Sequence, residues 1–368
     1  MITLIFISVL WMMVLLFLVA TVLPLMNVPL GFVRGGEFPR EQIFFLAVIL
    51  CVVMPVAQPN AAGAIGAAIL AVIAIVQLAY IIKFTPLWRR QSVSATADLR
   101  EDAKCQISLL TANVKKSNRS YGLLIDLVRR RTPDVLMAIE VDDDWIAALR
   151  EGLSDLYPHW VEVPKDNGYG LCLMSRLPLM DTEVRDLILQ DVPSIRTAVT
   201  LRNGSQLRLY VLHPEPPVIS HDTKGRDSEI ALVGLEAEKD DLPALVTGDL
   251  NDVAWSATTR RFQRLSGLLD PRVGRGFYNT FSATMPWMRW PLDHLFHDPR
   301  FRLVEMARLG KIGSDHFPMW FVLALTRQEA AEDAPGSCEK EELKETRDMI
   351  AKERTRSRDP IGSDWEDE

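Results

Sequence analysis

LVTGDLND, residues 245–252, ends a run of strand-forming residues with a glycine, two aspartates and an asparagine. Ala244 to Thr247 suits a buried strand, whereas the acids after Gly248 are costly in an apolar interior unless they are paired or serve chemistry. The same design recurs outward along the chain. Asn113 follows the apolar run QISLLT (106–111), Glu140 closes DVLMAIE (134–140), His213 closes LRLYVLH (207–213), and Asp315 and His316 precede a last run at Met319 to Leu325. Further strands are expected at Gly170 to Ser175, Arg196 to Leu201 and His294 to Phe296, with a helix at Tyr121 to Arg131 between the first two strands. Strands outnumber helices, which predicts a layered α/β (α+β) domain with sheet packed on sheet rather than a doubly wound parallel sheet. If these strand ends meet at one rim, the gathered carboxylates, amides and histidines suit a hard divalent cation and the hydrolysis of a phosphate ester.

The first part of the 368-residue chain is of another kind. Residues 2–26 and 61–82 contain no charged side chain and are each long enough to span a bilayer as a helix, and the shorter stretch 43–57 lies between them. Residues 1–82 are therefore read as a membrane anchor of three helices, followed by a linker over 83–103 and a catalytic domain over 104–327. No basic residue precedes the first apolar run, which argues against a cleaved signal peptide. With three spans, Arg34, Arg40, Lys83, Arg89 and Arg90 fall on one side and no Lys or Arg on the other, so the positive-inside rule puts the catalytic domain in the cytoplasm.

Charge divides the remainder. Residues 104–327 hold 28 Lys plus Arg against 29 Asp plus Glu, and residues 328–368 hold 7 against 14, so the net charge of −7 resides in the tail. With few apolar residues and one short helix-compatible stretch, 328–368 reads as an acidic, disordered appendage. The balanced domain lacks the basic excess expected of a protein that binds nucleic acid through its backbone. The four cysteines form no zinc or disulfide framework.

Six segments in order, LLTANV, DVLMAIEV, LYVLHPEPP, LVTGDLND, NTFSATMPWMRWPLDHLF and GSDHFP, resemble the endonuclease, exonuclease and phosphatase superfamily, which includes DNase I, exonuclease III, the abasic-site endonucleases, inositol polyphosphate 5-phosphatases and neutral sphingomyelinases. The resemblance covers about residues 104–327 and implies a four-layered α/β sandwich. It is closest to bacterial members with apolar spans ahead of this domain, which implies a multi-pass protein of the bacterial inner (cytoplasmic) membrane. Position by position it implies Glu140 as the principal Mg²⁺ ligand, with Mn²⁺ as a substitute, Asn113 beside it and Asp315 as a further carboxylate. Asp249 would activate water, Asn251 would hold the phosphate or nucleophile, and His316 would stabilise the transition state with Asp293 fixing its tautomer. His213 would contact the scissile phosphate or assist the leaving group. Arg226, beside Asp227, is a weaker candidate for a second phosphate contact, an exposed ion pair being the plainer reading.

Other residues read as structural. His294 follows Asp293 on a strand and points to the opposite face by alternation. His159, His221 and His297 are expected in loops, and Trp255, Trp287 and Trp290 in the core. The function expected is a membrane-anchored, Mg²⁺-dependent phosphodiesterase or phosphatase whose partners are the lipid bilayer and a phosphate ester, lipid or lipid-linked. The alternatives are a membrane-tethered DNA or RNA endonuclease and a non-catalytic phosphate-binding module, and no protein partner is inferred.

Overall fold

The computed structural model describes residues 1–26 and 28–362. Its strands are β1 (Gln106–Asn113), β2 (Val135–Ile139), β3 (His159–Val163), β4 (Leu171–Ser175), β5 (Leu179–Asp186), β6 (Pro193–Thr200), β7 (Gln206–Leu212), β8 (Ala244–Asp249), β9 (Asp293–His297), β10 (Phe301–Arg308) and β11 (Met319–Leu325). Its α-helices are α1 (Ile2–Val22), α2 (Gly31–Gly35), α3 (Arg40–Ala57), α4 (Ala61–Ile81), α5 (Ala97–Glu101), α6 (Tyr121–Arg131), α7 (Asp143–Leu153), α8 (Lys224–Lys239), α9 (Ala257–Ser266) and α10 (Lys340–Arg354).

The strands form two sheets, ordered β10-β11-β1-β2-β4-β3 and β5-β6-β7-β8-β9. Alternation decides how the sheets pack. Ile107 and Leu109 of β1 join Leu207, Leu209 and Val211 of β7 and Leu245 of β8 in one core between the sheets. Leu110 and Ala112, one residue out of phase, pack instead against Leu124 and Val128 of α6 and Trp145 and Leu149 of α7. On the far side, Tyr210, Leu212 and Val246 pack against Ile230 and Val233 of α8 and Phe262 of α9. The result is helix, sheet, sheet, helix: the four-layered α/β sandwich expected.

β1 and β2 are parallel, as are β7 and β8, while β11 and β9 run antiparallel to β1 and β8. The ends of β1, β2, β7 and β8 and the starts of β9 and β11 therefore share one rim. Thr111 and Thr247 hydroxyls, 3.1 Å apart, join the two sheets just beneath it.

Three helices, spanning Ile2–Met26, Arg40–Ala57 and Ala61–Phe84 with their short extensions, are long and apolar enough to cross a membrane. α3 and α4 pack closely because small residues line their contact: a methyl group on Gly66 would lie 2.3 Å from the Met54 side chain. Asn60 caps α4 by accepting from the amides of Ala62 and Gly63 at 3.0 and 3.2 Å. A polar relay ties the bundle together, Arg40 donating to Gln77 at 2.9 Å and Gln77 to Thr21 at 2.7 Å.

Several features differ from expectation. Strands β3, β5 and β10 are not among those anticipated; each is the edge strand of a sheet, and their mixed burial gives no clean apolar run. His159 begins β3 and His297 ends β9, so neither is in a loop; His297 is buried, its Nε2 2.7 Å from the Ser92 hydroxyl. The tail is not a free appendage as far as residue 362. Residues 340–354 form α10, which buries Ile350 against Ala231 and Leu265, while Arg264 donates to Glu342 at 3.0 Å and Arg358 to Glu215 at 2.6 Å. Paired charges and a narrow apolar stripe hold this segment despite its polar composition. The remainder of the expected tail, 363–368, lies outside the described residues, as does Asn27. The linker is laid onto the domain, with Gln91 and Ser92 buried.

Candidate active site

The rim gathers the strand-end residues. Asn113, the last residue of β1, donates from its amide nitrogen to Glu140 at 2.6 Å and to Asp249 at 3.0 Å. Its oxygen is turned away and accepts from the Lys115 amide at 3.0 Å. His213, just past β7, brings Nε2 to 3.7 Å from Glu140. Across the sheet, Asp249 and Asp293 are register partners. Asp293 holds Nδ1 of His316 at 2.8 Å, and Nε2 of the same ring lies 3.5 Å from Asp249. Asp315 faces Lys115, 3.0 Å away, at the open edge.

Backbone geometry aims these groups. Glu140 and Asn251 both have left-handed backbones, φ 63° and 52°, unusual for non-glycine residues and commonest where a site demands it. Gly248, at φ 143°, leaves no room for a side chain: a Cβ there would lie 1.9 Å from the Leu212 carbonyl oxygen. Asn251 is fixed from three sides. Its amide N–H donates to Asp249 at 3.0 Å, its side chain to the Pro214 carbonyl at 2.9 Å, and its own carbonyl accepts from Arg226 at 2.7 Å.

That last bond corrects the expectation for Arg226. The side chain is buried, engaged with Asp227 at 2.9 Å and 3.6 Å from Asp252, and does not line the cavity over the rim. It braces the Asn251 loop from behind and is not an exposed pair. His294 sits on the opposite face from Asp293, its Nε2 2.8 Å from the Asp252 carbonyl and its Nδ1 2.7 Å from Arg272. Trp255 is buried in the core as expected and Trp290 packs against the same apolar cluster while also lining the cavity, but Trp287 is 70% exposed and is not a core residue.

The charge balance of the site is set by burial. The Glu140 carboxyl is pushed up to about 8, first by burial and then by Asp249 and Asp315, against the Asn113 hydrogen bond and His316. Burial also raises Asp249. Burial lowers His213 to about 4, leaving a neutral ring. For His316 burial alone would act downward, but Asp293 and Asp249 outweigh it and lift the imidazole to about 10, so it is cationic at neutral pH.

These side chains fit a divalent cation. Ligand atoms of Glu140, His213 and Asp249 lie within 4.8 Å of one another. Asp293 Oδ1 and His213 Nδ1 are buried with no hydrogen-bond partner among the described residues. Carboxylates crowded in this way and lifted by burial are relieved by added positive charge, and oxygen donors select a hard ion.

Residues 110–316 match the Endonuclease/Exonuclease/phosphatase family. The chain belongs to that family. Its members are phosphoric ester hydrolases dependent on a divalent metal, and this chain is an enzyme of that class. Among solved structures it is similar to TDP2 of D. rerio complexed with single strand DNA product, at 19% identity and a TM-score of 0.51 over 59% of this chain and 98% of that one. It is also similar to a humanized D. rerio TDP2, at 18% identity and a TM-score of 0.50 over 60% and 99% of the two chains. At that identity the likeness speaks for the fold. No curated protein matches the chain.

Glu140, His213, Asp249, Asn251, Asp315 and His316 line a cavity of about 990 Å³. Its second wall was not anticipated: Gly31, Gly35, Phe38 and Pro39, from the connection between α1 and α3, with Tyr169, Phe281 and Trp290. A file of rings joins the rim to this wall, His316 to Phe281 at 5.0 Å, Phe281 to Trp290 at 5.9 Å and Trp290 to Phe38 at 5.6 Å. These aromatics lie in irregular segments, where no periodicity separates a core ring from a cavity ring.

Proposed function

We propose that the protein is a membrane-anchored, Mg²⁺-dependent hydrolase of phosphate esters, a phosphodiesterase or phosphatase that acts on a membrane-associated substrate. One observation carries the reading: the acid, amide and histidine rim opens into a cavity whose opposite wall is the connection between two apolar helices. Glu140, Asn113 and Asp315 would hold the cation, Asn113 after rotation of its amide to present oxygen. When bound, the cation polarises the phosphoryl group and neutralises developing charge. Asp249 accepts a proton from water as the water oxygen bonds to phosphorus. The ester P–O bond opposite breaks, and its electron pair leaves with the ester oxygen, which takes up a proton from solvent water. His316, cationic and held by Asp293, donates from Nε2 to a phosphoryl oxygen. Asn251 offers its second side-chain N–H to the phosphate, and the neutral His213 contacts the leaving side.

The bacterial inner membrane, three spans and a cytoplasmic catalytic domain belong to the same proposal. They are supported by the three apolar helices and by the basic residues flanking them on the domain's side. A test assays the full chain in detergent with Mg²⁺ on plasmid DNA, a generic phosphodiester, a phosphomonoester and a phospholipid panel. Expected is turnover of a lipid ester that is lost in Asp249→Ala and His316→Ala. Salt-sensitive nicking of DNA alone would instead favour the nuclease, and no metal-dependent turnover of anything the binding module.

A further inference from the structure

A second cavity, of about 1210 Å³, lies beside the first turns of α3 and shares Pro39, Met288 and Trp290 with the catalytic cavity. One side is apolar and belongs to the anchor: Phe45 and Leu46, 60% and 41% exposed. The other side is the segment 275–290, pinned to α3 where Gln42 donates to the Trp287 and Arg289 carbonyls at 3.3 Å and Asn279 donates to Glu41 at 3.0 Å. The pinning makes this a framed groove rather than a gap between two bodies.

Helix length says what the groove faces. At 1.5 Å per residue the 18-residue α3 spans about 27 Å, close to the ~30 Å of a bilayer's hydrocarbon, so its first two turns lie at the leaflet next to the catalytic body. Phe45 and Leu46 then face acyl chains. Trp287 projects at the depth where interfacial tryptophans settle. Arg289 and Arg308 line the groove with their guanidinium groups 5.2 and 4.5 Å from the Phe317 ring, a cationic edge above an apolar floor. Beyond them Trp290 and Phe281 lead to His316.

An apolar wall, an exposed tryptophan and two arginines in one groove, joined to the catalytic rim through Trp290 and Phe281, supply a surface for each part of a phospholipid. We propose that this groove binds the hydrocarbon chain of the substrate, a phosphate ester of a long-chain lipid drawn sideways from the near leaflet, while its phosphate reaches the rim past Trp290. The proposal rests on the hydrolase reading above and names its substrate class. A nucleic acid or a water-soluble phosphate ester would leave the α3 side of the groove unused.

The test reconstitutes the full chain in phosphatidylcholine vesicles containing phosphatidylglycerol with a diazirine in one acyl chain, followed by illumination and mapping of the adducts. Labelling is expected on residues 45–46 and 286–288. Leu46→Trp, which fills the groove away from the chemistry, is expected to cut that labelling and raise KM for the long-chain ester about tenfold, with turnover of a soluble aryl phosphodiester unchanged. Adducts confined to the outward faces of α1 and α4, or a Leu46→Trp protein that labels and turns over as the wild type does, would overturn the groove. Labelling needs no catalysis. Absence of all Mg²⁺-dependent hydrolysis would therefore sink the hydrolase reading on its own, leaving the adduct pattern to decide the groove.

Discussion

Asp293 and His316 are coupled through a single hydrogen bond of 2.8 Å, which leaves Nε2 facing Asp249 and the cavity. Replacing Asp293 by Asn keeps the shape but removes the charge that holds the imidazole cationic and allows the wrong tautomer. We expect kcat to fall by about 10²-fold or more in Asp293→Asn with thermal stability nearly unchanged; a variant with wild-type kcat would remove His316 from the chemistry. Glu140, His213 and Asp249 were legible in the sequence because an acid or histidine directly after an apolar run is anomalous in itself, whereas Asp293, at the start of its strand, was marked only by the family resemblance of PLDHLF. Arg226 was not, because whether an arginine is exposed or buried behind a loop depends on what packs over it, here Asp227, Asp252 and the Asn251 carbonyl. Trp287, exposed where the core was expected, escaped for the same reason: a tryptophan carries no mark that separates core from surface.

At the scale of elements, the rim depends on how β8 ends. Gly248 passes the Leu212 carbonyl so closely that Gly248→Ala must displace either β7 or the turn that carries Asp249 and Asn251. Loss of stability of at least ~2 kcal/mol is expected, measured by denaturant titration of the detergent-solubilised chain, and an alanine variant as stable as wild type would contradict the close approach. The interior strands were readable because both faces are covered and nearly every residue is apolar, as in β2 and β4. Edge strands present the opposite case: β5 is exposed along most of its length and its sequence, LMDTEVRD, carries no alternation to follow.

The whole molecule joins three parts that the sequence presents as separate. The connection between α1 and α3 is bound to the domain, Trp255 donating to the Glu37 carbonyl at 2.6 Å and the Gly31 amide to the His221 carbonyl at 2.8 Å. From the other end, α10 covers α8, and Ile361 donates its amide to Glu215 at 2.8 Å, two residues from His213. Composition alone predicted a free tail because net charge reports nothing about pairing partners far away in the chain. Deleting residues 340–368 uncovers Ala231 and Leu265 and unpairs Glu215. Burial lost on the scale of a few side chains, ~2 to 3 kcal/mol, lowers the midpoint of thermal unfolding by about 5 °C or more, and an unchanged midpoint would mean that the tail does not hold in solution.

In the proposed reaction, water activated at this rim attacks phosphorus. Hydrolysis of a phospholipid by the full chain in H₂¹⁸O with Mg²⁺ tests it most directly, with mass analysis of both products. One ¹⁸O is expected in the phosphate-bearing product, none in the alcohol, and no product after chelation of the metal or in Asp249→Asn. Label in the alcohol, or hydrolysis that persists without metal, would contradict it.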